Sequence, residues 1–263
     1  MSTTPERDPA PAVTRALRIL TALADADGMP MTLSELARTL GIAKSSAANL
    51  CTALEEGGMI ERDARGFRLG RRTAELGGAF ALQFNQVREF FAVCTASKVL
   101  HREVVQIGMI DGADVLYLAR HEGRAPHRLG TPLGSRLPAA QSATGRAILM
   151  TLDDETVGEL VTPASFDALT ERSVTSLPEL LAQLAVARVR GYAVDEGGSF
   201  SGITGVAVPL PPWSPSDPPL AMGAALPAEA TNADHVARVG AALLDAARLL
   251  TNPLAVRASD AIR

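Results

Sequence analysis

Apolar side chains between residues 32 and 56 recur at helical spacing in two short runs. Leu33, Leu36, Ala37 and Leu40 share one face of the first run, and Ala47, Leu50, Cys51 and Leu54 one face of the second. Thr32 followed by Glu35 fits a capping box, in which hydroxyl and carboxylate satisfy free amides at a helix start. Gly41 is placed to end the first helix in a left-handed conformation. Only Ile42 and Ala43 separate it from the next start, at Lys44 or Ser45. After Glu55-Glu56-Gly57-Gly58 the period becomes alternating. Residues 59–62 and 67–69 predict two short strands around Asp63-Ala64-Arg65-Gly66, with Ile60, Phe67 and Leu69 inward and Arg62, Arg65 and Arg68 outward. Helix, tight turn, helix and arginine-bearing hairpin in that order predict a winged helix-turn-helix across residues 12–72, preceded by a disordered tail over residues 1–11.

Beyond the hairpin the pattern is α+β. Residues 71–100 read as one long helix or two joined helices, with an apolar stripe of Leu76, Phe80, Phe84, Val87, Phe91, Cys94 and Val99. The stripe suits either a core or another subunit, and Gly77-Gly78 weakens the helix locally. Residues 73–100 are assigned as a linker helix and 101–252 as a second domain, with a tail at 253–263. VVQIGMI and VLYLAR flank Asp111-Gly112-Ala113-Asp114, a hairpin signal. An irregular strand and loop is expected at 126–137, and helices at 142–151, 153–161, 177–190 and about 233–250. YAVDEG, ITGVAVPL and LAMGAAL read as strands, and the Pro-rich PPWSPSDPP as a surface loop, since proline cannot join a central ladder. This order suits an antiparallel sheet with helices on its faces.

The second helix of the first module shows Lys44, Ser45, Ser46, Asn49 and Thr52 on its polar side. Such an N-terminal end meets base edges and phosphates when the helix lies in the major groove. Asn49 is suited to pair bidentately with adenine, and Lys44, Ser45 and Ser46 to hold phosphates. Arg62, Arg65 and Arg68 suit the minor groove or the backbone. Thr32 joins these as a candidate DNA contact. The alternative is a solvated hairpin on a small helical domain.

Charge and composition sharpen the picture. The chain has 263 residues, 47% of them hydrophobic, and a net charge of −4. Residues 30–72 carry seven basic and five acidic side chains, a local +2 against −6 for the remainder. Such weak basicity predicts that DNA affinity depends on dimerisation. Cys51 and Cys94 lack metal-ligand spacing and read as buried thiols in a reducing compartment. No segment suits a membrane span, and the charged, proline-containing N-terminus does not suit a signal peptide, so a cytoplasmic location is expected. His101, His121, His127 and His235 share no metal-binding spacing. Asp195-Glu196 point to opposite faces of a strand, one inside and one solvated. Gly202-Ile203-Thr204-Gly205 lacks the lysine and following helix of a phosphate loop. No catalytic residue, metal or cofactor is therefore expected.

The chain resembles the isocitrate lyase regulator (IclR) family of bacterial transcription factors. The resemblance lies in VTRALRIL, TLSELARTLGIAKSSAANL, GFRLGRRTAELG, LGTPLGSRLPAAQSATGRAIL, RGYAVDEG and GITGVAVPL, and covers roughly residues 12–252. It implies a second domain related to GAF and PAS sensors, a linker helix that helps dimerise the DNA-binding domains, and a dimer or a dimer of dimers. It places effector contacts at Leu129, Leu137, Ala143, Thr144, Asp195, Ile203, Gly205, Gly223 and Ala225. The family often has cysteine at the place of Gly205, and members that sense small oxo-acids carry serines at those of Gly223 and Ala225. Those hydroxyls are absent here and volume is gained. The expectation is a larger, less polar effector, aromatic or a lactone, anchored by Ser142, Thr144 and backbone amides. Glycines that merely permit tight sheet packing are the alternative. The implied function is a ligand-responsive regulator that reads a pseudo-palindromic operator on double-stranded DNA. Two other readings remain, an enzyme with an appended regulatory domain and a sensor acting through protein contacts.

Overall fold

In the first unit of the structure, local chemistry decides where the second helix begins and ends. The structure, a computed structural model, describes residues 8–26, 28–81, 83–123, 131–214 and 216–252. It divides into two units, residues 1–80 and 81–263. Helices α1 (Pro11–Asp25), α2 (Leu33–Leu40) and α3 (Lys44–Glu56) precede a hairpin of β1 (Ile60–Asp63) and β2 (Gly66–Leu69). Thr32 closes the expected capping box: its amide donates to Glu35 Oε2 at 2.8 Å and its Oγ1 accepts from the Glu35 amide at 3.3 Å. Gly41 ends α2 with φ of 67°, a conformation that disfavours a side chain. Ile19, Leu23, Leu36, Leu40, Cys51, Ile60 and Phe67 form the core of this unit.

The wing carries a third piece that the alternation did not reveal. Met31 forms a bridge to Phe67, each amide donating to the other's carbonyl at 2.8 Å. A Cβ at Gly66 would lie 2.4 Å from the Met31 carbonyl oxygen, so that approach requires glycine. Helix α4 (Arg71–Ala81) completes the unit.

The second unit opens with α5 (Asn85–Ala96). The helical stretch expected over 71–100 is therefore two helices, with α5 ending at Ala96. Its apolar stripe divides: Val87 and Cys94 enter a core with Phe90, whereas Leu76 and Phe91 are exposed. Strands β3 (Val104–Asp111), β4 (Asp114–Glu122), β5 (Arg136–Pro138), β6 (Ala193–Glu196), β7 (Ile203–Leu210) and β8 (Leu220–Pro227) form one antiparallel sheet, in the order β5-β4-β3-β8-β7-β6. The tails expected at 1–11 and 253–263 fall largely or wholly outside the described residues, as does the first half of the irregular segment at 126–137.

Two layers of helix cover this sheet. Phe84, Val87, Phe90 and Cys94 of the α5 segment pack with Val239, Leu243, Ala246 and Ala247 of α9 (Ala233–Leu249) against one face. Helix α6 (Ala143–Leu149) lies on the other, through Ala143, Ala147 and Ile148 against Ala193, Ala207 and Ala221. Helices α7 (Asp154–Leu160) and α8 (Leu177–Arg190) flank it, with Val157, Leu180 and Leu184 in a core shared with Val115 and Tyr117 of β4. A bulge decides what β4 shows to each layer. Ile107 pairs with Ala119 and Gly108 with Tyr117, so Leu118 has no partner residue. The extra residue turns Tyr117 and Gln106 to the α6 side while Ala119 and Ile107 face α5 and α9.

The outer edge of the sheet at β6 is dressed with arginines. Arg190 Nε donates to the Tyr192 carbonyl at 3.0 Å, Arg146 Nη1 to that of Val194 at 3.3 Å, and Arg172 Nη1 to that of Glu196 at 3.3 Å.

Phe90 has no exposed surface and stands at the centre of the α5–sheet contact. Phe90→Ala is expected to destabilise the second unit by about 3–5 kcal/mol through lost burial and the cavity left behind. A lowered urea midpoint with an unchanged slope would report it. A midpoint equal to wild type would show that the site collapses around the missing ring.

Candidate functional site

In the first unit, α3 shows Lys44, Ser45, Asn49 and Thr52 to solvent, with Ser46 half-buried and Ala47 and Cys51 against the core. Ala43 contributes no side-chain cap. The wing arginines are not equivalent. Arg68 Nε pairs with Glu61 at 2.7 Å. The Arg62 guanidinium lies over the Phe67 ring, 5.3 Å from its centroid. Arg65, at the hairpin tip, reaches Asp63 only at 3.9 Å and is more exposed than Arg68. Asp63 accepts from the amides of Arg65 and Gly66, which hold its carboxyl below the usual range and shape the tip. Thr32 differs from the other candidates, because its hydroxyl and amide both engage Glu35. It holds the start of α2.

In the second unit, one cavity between α6 and the sheet gathers residues that lie far apart in sequence. Leu137, Ser142, Ala143, Thr144, Asp195, Ile203, Gly205, Gly223 and Ala225 all line it. Leu129 lies outside the described residues. Gln106, Tyr117, Thr131, Ser199, Phe200 and Ala224 line it as well, and sequence reasoning missed them. A signal for two of these existed. Gln106 is the polar residue in the apolar run VVQIGMI, and Tyr117 sits mid-strand in VLYLAR.

The missing side chains at 205 and 223 do not open volume. A Cβ at Gly205 would lie 2.9 Å from the Ala143 Cβ, and one at Gly223 would lie 2.8 Å from Thr144 Oγ1. Helix α6 occupies that space, and its Gly145 packs so closely on Ala139 that a Cβ there would meet backbone at 2.3 Å. The cavity is about 40 Å³, the room of roughly three waters. Nor is it apolar, since Tyr117, Thr131, Ser142, Thr144 and Ser199 bring hydroxyls to it. Close packing of α6 thus accounts for the glycines at 205 and 223, the alternative reading of the sequence.

Asp195 is buried and Glu196 exposed, as their alternation required. Asp195 accepts from the amides of Gly198 at 2.7 Å and Ser199 at 3.0 Å, and from the Ser199 hydroxyl. Behind it stands Arg146, 3% exposed, with Nη1 at 4.0 Å from Asp195 Oδ1. The guanidinium donates to the carbonyls of Ala140 at 2.8 Å and Gln141 at 3.4 Å, and to Gln183 Oε1 at 2.7 Å. Burial lowers its pKa, opposed by the charges of Asp195 and Glu179. Ser142 caps α6, its Oγ accepting from the Gly145 amide at 3.0 Å. Among the described residues no group of three or more His, Cys, Asp or Glu could hold a metal ion, and no helix is long and apolar enough to cross a membrane.

Two family models match: IclR helix-turn-helix domain over residues 12–64, and Bacterial transcriptional regulator IclR C-terminal over residues 92–252. The chain belongs to the IclR family of bacterial transcriptional regulators. Transcriptional repressor IclR of Escherichia coli K12 is 24% identical over 255 residues, 95% of this chain and 92% of that protein. HTH-type transcriptional regulator KipR of Bacillus subtilis 168 is 31% identical over 168 residues, 62% of this chain and 66% of that one. A crystal structure of an IclR homolog complexed with 4-hydroxybenzoate, from Microbacterium hydrocarbonoxydans, shares the fold with a TM-score of 0.77. It is 24% identical, and the match covers 93% of this chain and 99% of that one. The chain is thus an IclR-family regulator with a DNA-binding helix-turn-helix domain and an effector-binding C-terminal domain.

Two outcomes follow from the buried groups of this IclR domain. Arg146→Ala leaves Asp195 buried beside an empty site and is expected to cost about 3–5 kcal/mol in a urea melt, whereas Arg146→Met with Asp195→Asn costs less than the sum of the two single changes. The second concerns alkali. Burial pushes the Cys94 thiol from its ordinary 9.0 up to about 12 and raises that of Cys51, so the folded chain keeps protons that the unfolded chain releases. That stability is complete below the unfolded value and is lost as pH rises toward the folded one. Urea midpoints should fall between about pH 8 and about pH 10.5, and less steeply for Cys94→Ala.

Proposed function

We propose that this IclR-family protein is a ligand-responsive regulator. As a dimer or dimer of dimers it sets two α3 helices in successive major grooves of a pseudo-palindromic operator. The exposed row of Lys44, Ser45, Asn49 and Thr52 on α3 carries this reading. In it, Asn49 reads a base while Lys44, Ser45, Ser46 and the wing arginines hold the backbone. Arg65 contributes most of the wing contacts, since Arg68 is paired with Glu61 and Arg62 rests on Phe67. Curated relatives described as repressors support repression as the outcome, and the Microbacterium complex supports a small organic effector in the second unit. Effector binding and operator binding are coupled, each changing the other's affinity by the same factor. The cavity chemistry supports binding rather than turnover, because Asp195 is saturated by backbone amides, Ser199 and Arg146.

The test is fluorescence anisotropy of the full chain on its own upstream intergenic DNA and on a scrambled fragment, at two salt concentrations. Preference for the upstream fragment that survives higher salt is the expected result, and equal, salt-sensitive binding to both would remove the sequence-reading role. Arg65→Ala should weaken both complexes and reduce the salt slope by about one. Asn49→Ala should lose about 1–3 kcal/mol on the upstream fragment alone. Equal losses on both fragments would exclude Asn49 as a base reader.

A further inference from the structure

Helix α8 is apolar on two sides, and the fold covers one of them. Leu180, Leu184 and Ala187 face the core of the second unit. On the opposite side Pro178, Ala182, Ala185, Val186 and Val189 are exposed, Val186 at 59% and Val189 at 92%. At 3.6 residues per turn these five positions form one continuous stripe, and no charge interrupts it. A helix with apolar residues on both sides suits burial on both sides. The three charged residues of α8 stand beside the stripe. Arg188 lies on one flank, with Nε and Nη2 on the carbonyls of Met150 and Leu152 and Nη1 on Asp154. Glu179 and Arg190 share the other flank, where both line the groove between α8 and β6.

The placement of those two charges selects what covers the stripe. Glu179 is in the first turn of α8 and Arg190 is its last residue, about 16 Å along the axis. Glu179 Oε2 accepts from the amide and hydroxyl of Thr175, and Arg190 rests over the Tyr192 ring. Neither closes a salt bridge among the described residues. A two-fold axis perpendicular to two facing α8 helices sets them antiparallel and brings like flanks to the same side. Glu179 then meets Arg190 of the partner subunit, and the symmetry makes the pair twice. A parallel arrangement would bring that flank against the one holding Arg188, whose guanidinium is already engaged. The midpoint between Glu179 and Arg190 falls beside Ala185, and Ala182 and Ala185 are small enough for the axes to approach to about 8 Å. In such a contact the valines supply the burial. The exposed ion pairs add little energy and fix the direction.

We propose that the outer face of α8 is an isologous contact between two copies of this chain, antiparallel about Ala185, with Val186 and Val189 at its apolar centre. This deepens, and rests on, the reading of the regulator as a dimer or dimer of dimers.

Light scattering of the full chain after size exclusion, over a concentration series, reads the assembly. The double variant Val186→Glu with Val189→Glu should raise the dissociation constant of one association step about tenfold or more. Both positions are exposed, so its far-UV circular dichroism should match wild type. Arg190→Glu and Glu179→Arg should each weaken the same step, and the two together should recover most of the loss. Mild oxidation of Ala185→Cys should give a covalent dimer, whereas Ser216→Cys, exposed on the loop between β7 and β8, should not. Assembly indifferent to the two glutamates, or an Ala185→Cys chain that stays uncrosslinked, would overturn the contact. Charge variants without recovery would overturn its antiparallel direction. A wild-type chain that stays monomeric at every concentration, with and without its upstream DNA, would instead remove the assembly on which the contact rests.

Discussion

The buried guanidinium of Arg146 is the interaction around which the second unit is arranged. It joins the turn before α6 through Ala140 and Gln141, helix α8 through Gln183, and strand β6 through Val194, and it faces Asp195. An ion pair sealed from water is weak support for stability, because desolvating both charges offsets their attraction. Its effect here is on arrangement: a cation with this many fixed acceptors admits one relative placement of the segments that carry them. Asp195, so placed, draws in the amides of Gly198 and Ser199 and thereby sets one wall of the cavity.

Small residues do comparable work in both units. Ala47 and Cys51 let α3 lie close on its own core while its polar side faces outward. Gly145, Gly205 and Gly223, with alanines at 143, 207 and 221, let α6 approach the sheet until the spaces left by missing side chains are filled. One helix is held close so that short polar groups can reach outward, and the other so that they can reach inward. Close helix packing is thus common to both units of this IclR chain.

The modules that local rules describe were legible in the sequence. The capping box at Thr32 and Glu35, the left-handed Gly41, the turn into α3 and the alternation of Ile60, Phe67 and Leu69 depend on residues a few positions apart. So do the strands and helices of the second unit. The cavity was legible in part: of the nine residues to which the IclR resemblance pointed, the fold brings together eight, although they span 137–225 in the chain. Three things were hidden for physical reasons. A bulge is an irregularity of pairing, so alternation in VLYLAR could not show which face Tyr117 takes. Whether a glycine leaves a void or admits a neighbour depends on the opposite element, and Ala143 and Thr144 answered that for Gly205 and Gly223. Arg146 lies in an otherwise small and apolar helix, where a lone cation reads as surface until the acceptors around it are known.

The arginines along β6 carry a further consequence. A sheet of six strands has two open rims, and an unpaired rim is a template on which a stray strand from another molecule can grow. At one rim the strand is only Arg136–Pro138, and it ends in a residue with no amide proton to offer. At the other, three guanidiniums already sit on the carbonyls of residues 192, 194 and 196, the acceptors an intruding strand would need. The sheet is blunted by side chains rather than closed into a barrel. Because Arg146 serves both the rim and the Asp195 pair, loss of that one cation would bare a rim carbonyl and unsettle the cavity wall together.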